Sequence, residues 1–406
     1  MKSIDDYDYR DKTVLLRVDI NSPIDPKTKL IINENRIVKS LPTIRKLLEQ
    51  DAKLAIIAHQ GDTQDYQNLI PLKEHAEKLS SLLNIKLSYI DDVAGPAAQN
   101  KIKSLKAGEA VLLGNLRYLS EEISTFENYV KLAPNEMLET YLVRNLSPII
   151  DYYVNDAFAA AHRNAPSMVA FQEIKPSAAG YLLFNEVSAL KTITAKPKHP
   201  CVFILGGAKI SDAFGMINQV LANGTADTIL SCGITGEIML LAQDIDIGQA
   251  TTEYIYSKGL EVFIKDAREY LNNFKGKIIS PLDLAFEDNS IRNECDVSEL
   301  PIDKLFLDIG KKTISNYSKY IKEAKTLFMN GPPGMYENAL FQEGTKEILT
   351  LIEEASGYSV IGGGDTVTAA TKYTDLEKFN YVCTAGGAMV RYLSGKKLPL
   401  MQAMEN

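Results

Sequence analysis

The feature that most constrains this fold is a series of short, continuous apolar segments separated by amphipathic ones. Nine segments are four to seven residues long and rich in aliphatic and aromatic residues: TVLLRVD, LAIIA, AVLLG, YYVND, CVFIL, DTILS, TLFMN, YSVIG and YVCTA. Because they are apolar throughout rather than alternating, they are typical of strands covered on both faces of a parallel sheet. Strand and helix alternate almost to the end of the chain, which predicts an α/β protein.

The segments between these strands carry apolar residues at helical spacing. In EHAEKLSSLLN, for example, Ala76, Leu79, Leu82 and Leu83 fall on one helical face. A chain of 406 residues is long enough for two domains. We place the boundary near residues 177–200, where the helical pattern SAAGYLLFNEVSALKTI is followed by the Lys- and Pro-rich break TAKPKHP. About six strands precede this boundary, and a comparable set follows it.

Composition excludes several classes of protein. A net charge of −8 argues against a general nucleic-acid binder, because covering phosphates requires an excess of Lys and Arg. The four cysteines, Cys201, Cys232, Cys295 and Cys383, are not at metal-ligand spacing and are predicted to be buried free thiols in a reducing compartment. No signal peptide and no apolar stretch near the roughly 20 residues of a membrane span are visible. We therefore expect a cytoplasmic protein without membrane partners.

Charged and polar side chains follow the strands of the first half of the chain. In open parallel sheets, ligands bind beyond the carboxyl ends of the strands. The residues at these positions, with one shortly after the first strand, are Asp19, Asn21, Arg36, His59, Arg117, His162 and Arg163. Arginines grip carboxylate or phosphate in forked pairs, so this set suits a small anion with several charges. His75 and His199 are interpreted as solvated or structural.

Glycines follow the strands of the second half: GGAK (206–209), NGPPG (330–334), GGGDT (362–366) and AGGA (385–388). Glycine lets backbone N–H groups approach a phosphate closely, and a following helix adds its positive end. A single glycine turn or a single arginine is weak support, and Asp365 either caps a helix or holds Mg²⁺. The combination favours phosphoryl transfer between a nucleotide and an anionic acceptor. The P-loop motif and the G-x-G-x-x-G motif of dehydrogenases are both absent.

Eight collinear segments resemble the phosphoglycerate kinase family, its archaeal branch in particular: LLRVDINSP, ENRIVKSLPTI, LLGNLRYLSEE, VNDAFAAAHR, LGGAKISD, NGPPGMYE, GGGDT and TAGGA. The resemblance implies two doubly wound parallel-sheet domains joined by a hinge helix across a cleft. It implies an N-terminal 3-phosphoglycerate-binding domain (1–176), a hinge helix (177–194) and a C-terminal nucleotide-binding domain (195–390), with the tail 391–406 returning to the first domain. The implied reaction is reversible transfer between 1,3-bisphosphoglycerate and ADP, with Mg²⁺, by a monomer or a homodimer.

The resemblance also implies roles for individual residues. Asp19 and Asn21 would bind the hydroxy acid, and Arg36 would lie beside the transferred group. The distal phosphate and the carboxylate would be bound by His59, Arg117, His162 and Arg163. The nucleotide would be bound by Gly206, Gly207, Lys209, Asn330, Glu337, Gly363, Gly364, Asp365 and Thr366, with Asp365 as metal ligand. Arg36, Lys209, Gly386 and Gly387 would surround the charge of a loose transition state.

Four positions depart from the family pattern. Ala213 replaces a second lysine, which archaeal members also tend to lack, and Asp62 stands where a basic residue is common. Gly114 replaces a glutamate, and Ala385 replaces a glycine near the transferred phosphate, where its methyl group would narrow the approach. Two alternatives therefore stay open: a scaffold that binds nucleotide without turnover, and an NAD-dependent dehydrogenase.

Overall fold

The computed structural model describes residues 1–61 and 69–405. The chain divides into two compact units. The first unit comprises Met1–Val187 and Lys397–Asn406, and the second comprises Ser188–Lys396. Each unit is built on its own parallel six-stranded sheet, which confirms the predicted α/β class.

The sheet of the first unit has the order β3-β4-β2-β1-β5-β6. Its strands are β1 (Thr13–Val18), β2 (Lys53–Ala58), β3 (Ser88–Tyr89), β4 (Ala110–Asn115), β5 (Tyr152–Asp156) and β6 (Ser177–Ala179). The helices around it are α1 (Asn35–Glu49), α2 (Lys73–Leu83), α3 (Pro96–Lys103), α4 (Ser124–Tyr129), α5 (Tyr141–Leu146) and α6 (Pro166–Val169). The central strands are buried along most of their length, as their unbroken apolar sequences predict.

The predicted hinge helix is α7 (Tyr181–Ala195), and the division between the units falls inside it. Residues 177–179 form β6 instead of the first turn of this helix, so the predicted start at residue 177 is wrong. Pairing with β5 satisfies the backbone of these small residues, and Gly180 then separates the strand from the helix.

The sheet of the second unit has the order β15-β14-β13-β7-β8-β9. Its strands are β7 (Cys201–Leu205), β8 (Thr228–Ser231), β9 (Ile278–Ile279), β13 (Thr326–Asn330), β14 (Tyr358–Gly362) and β15 (Tyr381–Val382). A separate antiparallel sheet, which the sequence did not indicate, contains β10 (Asp283–Asp288), β11 (Ile291–Asp296) and β12 (Phe306–Ile309). The helices of this unit are α8 (Ile210–Ala222), α9 (Gly233–Ala242), α10 (Gln249–Ser257), α11 (Val262–Asn273), α12 (Lys311–Glu323), α13 (Glu343–Glu354), α14 (Gly364–Tyr373) and α15 (Gly386–Leu393).

The C-terminal residues from Lys397 onward belong to the first unit. There α16 (Pro399–Ala403) packs on α6, and the Leu400 N–H donates to the Ala161 carbonyl at 3.2 Å. The predicted tail began at residue 391, but residues 391–396 stay with the second unit, where α15 packs on α8. The four cysteines are buried and free, as predicted. Within the described ranges, we find no helix with the length and apolar character to cross a membrane.

In both sheets the strand order reverses direction at the centre. In the first sheet β1 lies between β2 and β5, and in the second sheet β7 lies between β8 and β13. Such reversal points leave a crevice beyond the carboxyl ends of the strands, where ligands bind in open α/β sheets. The topology therefore directs attention to Asp19 after β1 and to Gly206 after β7.

Asp156, the last residue of β5, caps α7 from inside the first unit. It is 1% exposed, and its Oδ1 accepts from the Leu183 N–H at 3.0 Å. The pKa of Asp156 is raised to about 7. Burial raises it, and this effect exceeds the opposite effect of the hydrogen bonds from Thr43, Leu183 and Leu182. The carboxyl is therefore protonated in the folded protein over a pH range in which the unfolded chain has lost the proton.

We expect Asp156→Asn to raise the free energy of unfolding by about 4 kcal/mol at pH 8 and by only about 1.5 kcal/mol at pH 5. Between about pH 4 and 7 the parent loses stability as pH rises, by roughly 1.4 kcal/mol per pH unit, since only its folded form keeps the proton. The asparagine does not ionise, so the gain approaches about 4 kcal/mol at high pH. Urea unfolding of both proteins at the two pH values checks this. An equal difference at both pH values would contradict the account.

Candidate active site

Asp19 and Arg36 meet at the reversal point of the first sheet. Asp19 follows β1 and is 5% exposed, and Arg36 is the second residue of α1. The Arg36 Nη1 donates to the Asp19 Oδ2 at 2.6 Å, and the Asn21 N–H donates to the Asp19 Oδ1 at 3.3 Å. The Asn21 Oδ1 in turn accepts from the Gly61 N–H at 3.0 Å. Arg36 is only half-buried, so part of its guanidinium remains available to a ligand.

His59 follows β2 and is packed against Arg17, which is not among the site residues predicted from the sequence. The Arg17 Nη2 lies 2.8 Å from the His59 Nδ1. A guanidinium has only donors, so Nδ1 must accept and the imidazole proton sits on Nε2. Burial lowers the pKa of His59 well below its ordinary value, and the guanidinium groups of Arg17, Arg117, Arg36 and Arg163 lower it further. His59 is therefore a neutral donor among four arginines.

We expect His59 to remain neutral, with its proton on Nε2, from pH 8 down past its ordinary pKa of about 6.5. Nitrogen-15 NMR of the histidine side chains checks this, because neutral tautomers and the imidazolium differ in both ring-nitrogen shifts. His59→Gln serves to assign the signals among the four histidines. A doubly protonated His59 near pH 6.5 would contradict the geometry.

Arg117 and Arg163 complete the arginine cluster. Arg117 lies in the short 3₁₀ helix Leu116–Tyr118 after β4, and its Nη1 donates to the Glu122 carbonyl. The Arg163 Nε donates to the Glu127 Oε2 at 2.6 Å, and its Nη2 is buried with no hydrogen-bond acceptor among the described residues. A buried donor without an acceptor is costly, and an anionic ligand would satisfy it. His162 precedes Arg163 in the chain and is half-buried.

Glu122 is the second residue of this site that sequence reasoning missed. It is 2% exposed, and its carboxylate accepts from the Ser167 N–H at 2.7 Å and from the Ser167 hydroxyl at 2.6 Å. Burial raises the pKa of Glu122, while Ser167, Arg17 and Arg117 lower it. A charged residue inside an apolar strand was the available signal for Arg17. Glu122, in a polar segment, gave none.

His75 and His199 have structural positions. His75 is fully buried, with its Nε2 3.0 Å from the Gln60 Oε1. Of the two predicted possibilities, solvated or structural, it is the structural one. Its pKa is lowered to about 4 by burial first and by Lys78 second. His199 is exposed and its Nδ1 lies 2.6 Å from the Asp227 Oδ2.

In the second unit, Gly206 and Gly207 lie beside the loop after β13. The Gly206 N–H donates to the Asn330 carbonyl at 3.0 Å, and the Gly207 N–H donates to the Pro332 carbonyl at 2.9 Å. The expectation that these N–H groups point at a phosphate is therefore wrong. Glycine is required instead for close backbone packing, since a Cβ on Gly206 would lie 2.8 Å from the Pro332 oxygen.

Three helix N-termini surround a cavity of about 170 Å³ in the second unit. They are the starts of α8, α14 and α15, and the first N–H groups of a helix have no acceptor within it. The lining includes Lys209, Asp212, Gly364, Asp365, Gly386 and Gly387. A Cβ on Gly364 or Gly387 would meet no atom within 4 Å, so the space before these backbones is open. This arrangement suits phosphate oxygens.

Asn330 and Thr366 shape the floor of this cavity. The Thr366 hydroxyl is buried and accepts from the Gly331 N–H at 2.7 Å. Gly363 has a φ of +88°, and a Cβ there would lie 2.4 Å from the Asn330 Oδ1. These contacts hold the start of α14 against the end of β13, so the two residues position the backbone around the open space.

A second cavity, of about 230 Å³, adjoins the first. The two share Gly207, Ala208 and Asp365 in their walls. The second is mostly apolar, with walls that include Ile234, Leu305, Phe306, Leu307, Pro332 and Pro333. Glu337 lies in its wall, next to Tyr336. An apolar slot beside a phosphate-sized space matches the shape of a nucleotide.

Comparison with known proteins decides among the functions left open. A family model described as phosphoglycerate kinase matches residues 4–396. The chain belongs to the phosphoglycerate kinase family. The phosphoglycerate kinase of Methanothermus fervidus is 40% identical over 403 residues, which cover 99% of this chain and 96% of that protein.

Solved structures of the family agree. The crystal structure of phosphoglycerate kinase from Pyrococcus horikoshii OT3 gives a TM-score of 0.88 at 37% identity, covering 100% of this chain and 98% of that chain. The structure of phosphoglycerate kinase from Coxiella burnetii gives a TM-score of 0.84 at 28% identity, covering 99% of this chain and 98% of that chain. The activity of the phosphoglycerate kinase family, ATP-dependent phosphoryl transfer to a carboxylate in glycolysis, is accordingly that of this chain.

The departures from the phosphoglycerate kinase pattern have distinct surroundings. Ala213 is 1% exposed on α8, and it brings no charge to the phosphate-sized cavity. A Cβ on Gly114 would lie 3.1 Å from the Asp92 nitrogen, so the backbone at Asp92 leaves little space for a side chain. Ala385 caps α15 and is 2% exposed, so its methyl group is buried. Asp62 lies outside the described residues.

Proposed function

We propose that this chain transfers a phosphoryl group directly between a nucleotide held by the second unit and 3-phosphoglycerate held by the first. The observation that carries the nucleotide assignment is the pair of adjoining cavities with Gly207, Ala208 and Asp365 in their common wall. A nucleotide would fill both cavities, with its base in the apolar one and its phosphate chain at the three helix N-termini. In this assignment Glu337 accepts from the ribose, and Lys209 meets the terminal phosphates.

The arginine cluster supports the acceptor assignment. The guanidiniums of Arg17, Arg36, Arg117 and Arg163 all act on His59. Asp19 and Glu127 are hydrogen-bonded to Arg36 and Arg163, and the Glu122 carboxyl group interacts with Arg17 and Arg117 through its charge. With four guanidiniums against three carboxyl groups, the cluster keeps an excess of positive charge. A phosphate and a carboxylate on one small molecule would meet forked donors here, together with the neutral Nε2–H of His59. Asp19 and Asn21 would bind the hydroxyl group between them.

The donor set fits Mg²⁺ that arrives with the nucleotide. No group of three or more His, Cys, Asp or Glu side chains that could hold a metal is found in residues 1–61 and 69–405. Mg²⁺ is usually bound by one or two carboxylates together with phosphates and water. Asp365, exposed in the first turn of α14, would hold it, with Asp212 on the opposite helix start. When bound, the metal neutralises phosphate charge.

The chemistry requires positioning more than acid–base catalysis. The acceptor is a carboxylate, so no general base is needed, and the transition state is loose, with charge on the equatorial oxygens. Lys209, Arg36 and the N–H groups of Gly386 and Gly387 would neutralise that charge without a covalent intermediate. Water must be excluded, which we assign to bending at α7, whose residues belong to both units. We propose a cytoplasmic enzyme with small-molecule partners.

An assay with 3-phosphoglycerate and Mg-ATP, coupled to detection of the acyl phosphate, tests this function. We expect saturable turnover that depends on both substrates and is lost when Mg²⁺ is chelated. A nucleotide-binding scaffold would instead bind Mg-ATP in calorimetry without turnover at high enzyme concentration. A dehydrogenase would be stabilised against heat by NAD rather than by Mg-ATP, which a thermal-shift comparison separates.

A further inference from the structure

The apolar cavity contains a carboxyl group that the proposed transfer reaction does not use. Glu237, on α9, lies in the cavity wall and is 5% exposed. It has no hydrogen bond or ion pair with any described residue. The other residues of the cavity wall are mainly aliphatic and aromatic, so no described side chain compensates its removal from water.

A buried polar group without a partner is costly, and an aliphatic side chain in the same place would be neutral or stabilising. Buried titratable groups without structural partners are concentrated at functional sites. Because Glu237 lies in the wall of a cavity, a ligand can supply the missing partner. The other polar groups that such a ligand would meet in this cavity belong to Tyr254, Tyr336, Glu337 and Asp365.

We propose that Glu237 is a specificity-determining residue that reads the edge of the purine base bound in this cavity. The inference rests on the proposed function, because it requires the nucleotide base to occupy the apolar cavity. As a neutral acid, the Glu237 side chain has one donor and one acceptor. This pair matches the N1 acceptor and the 6-amino donor of adenine, and it also matches the O6 acceptor and the N1–H donor of guanine. As a carboxylate it has only acceptors, which match the N1–H and 2-amino donors of guanine.

Loss of the Glu237 proton therefore shifts the base preference, because the carboxylate loses its match to adenine and keeps one to guanine. Burial alone raises the pKa of Glu237 to about 8. The charged or titratable groups on the elements packed against α9 are Asp212 of α8, Lys265, Asp266, Arg268, Glu269 and Tyr270 of α11, and Asp308 of β12. None of them contributes to the shift, nor do the four polar groups of the cavity wall. Near neutral pH the acid form can pair with either purine, and above pH 8 the carboxylate favours guanine.

Calorimetric titration of the full chain with Mg-ADP and Mg-GDP at pH 6.5 and 8.5 tests this proposal. We expect the ratio of the Kd for GDP to the Kd for ADP to fall roughly tenfold as pH rises, the scale of one bidentate base contact. Titration of the phosphates affects both nucleotides equally and cancels in the ratio. Glu237→Gln keeps one donor and one acceptor at every pH, so its ratio of the two Kd values is expected to be the same at pH 6.5 and 8.5.

Two further variants separate base reading from a structural role. Glu237→Leu is expected to bind both nucleotides roughly tenfold more weakly while melting at or above the parent temperature, because the unpartnered carboxyl is gone. Glu269→Gln, an exposed residue of α11, is the matched control and is expected to keep the parental pH dependence. A ratio that does not change with pH in the parent, or that changes equally in Glu237→Gln, overturns the proposal.

Failure of this proposal and failure of the proposed function give different results. If the parent turns over 3-phosphoglycerate with Mg-ATP but Glu237→Gln leaves the pH dependence of the base preference unchanged, only the reading role of Glu237 is rejected. If the parent shows no such turnover, the proposed function is rejected, whatever the two binding constants are.

Discussion

Replacing Lys209 by alanine is expected to reduce kcat by two to three orders of magnitude with a much smaller change in the KM for nucleotide. Lys209 is the N-cap residue of α8 and lies in the wall of the phosphate-sized cavity. It is the one basic side chain that the described residues contribute to that wall, where Asp212 and Asp365 are negative. Without it, charge on the transferred group would be neutralised by Arg36, the helix N-termini and the metal of the nucleotide, with no cation left in this wall. The loss is on the scale of removing one preorganised donor.

Steady-state kinetics with 3-phosphoglycerate and Mg-ATP measure this effect. Lys209→Arg keeps the charge but changes the shape of the donor, so it should recover part of the rate. Lys319→Ala, an exposed residue of α12, removes a lysine from the same unit and should leave kcat at the parent value. If Lys209→Ala kept kcat within threefold of the parent, the charge in this cavity would not act on the transition state.

Sequence patterns predicted the fold where strands are continuous and buried. The nine apolar segments correspond to β1, β2, β4, β5, β7, β8, β13, β14 and β15. The strands that were missed, β3, β6 and β9, have only two or three residues. β15 is as short, but it begins the five-residue segment YVCTA, which the pattern identifies. The antiparallel sheet was missed because β11 is largely exposed and β10 is exposed at one end, so their sequences lack an unbroken apolar run.

Positions at strand ends predicted much of the candidate site, but not how its groups are bonded. Parallel topology brings Lys209, Asp365 and Gly386 to one cavity, and that follows from position in the sequence alone. The protonation of His59 depends on Arg17, and the sequence shows a charged residue in an apolar strand there without showing that it contacts His59. The N–H groups of Gly206 and Gly207 are used by the neighbouring loop, which depends on long-range packing.

Glu237 shows the same limit. In the sequence it is one charged residue in the helical segment GITGEIMLLA, and such a residue usually faces solvent. Its burial in an apolar cavity results from the packing of α9 against β8, β12 and α11. Only the assembled unit distinguishes it from the exposed glutamates of neighbouring helices.

Arg36→Ala is expected to lower kcat by two orders of magnitude or more and to leave the KM for nucleotide nearly unchanged. Arg36 belongs to the first unit, so it would contribute to the transferred group only when both substrates are in place. Its Nη1 is bonded to Asp19 at 2.6 Å, which fixes the direction of the guanidinium beside the position assigned to the acceptor. An arginine that stabilises only the transition state changes kcat and kcat/KM together.

Kinetics at saturating 3-phosphoglycerate, with Mg-ATP varied, separate this role from simple binding. Arg36→Lys keeps the charge without the forked donors, so most of the loss should persist. Arg45→Ala removes an arginine from the exposed face of the same helix, where its Nη2 donates to the Leu82 carbonyl at 3.0 Å, and should keep the parental kcat. A higher nucleotide KM with unchanged kcat would mean that Arg36 binds nucleotide in the ground state. The positive charge at the transferred group would then have to come from another arginine of the cluster. Two of these are already hydrogen-bonded, Arg17 to His59 and Arg163 to Glu127.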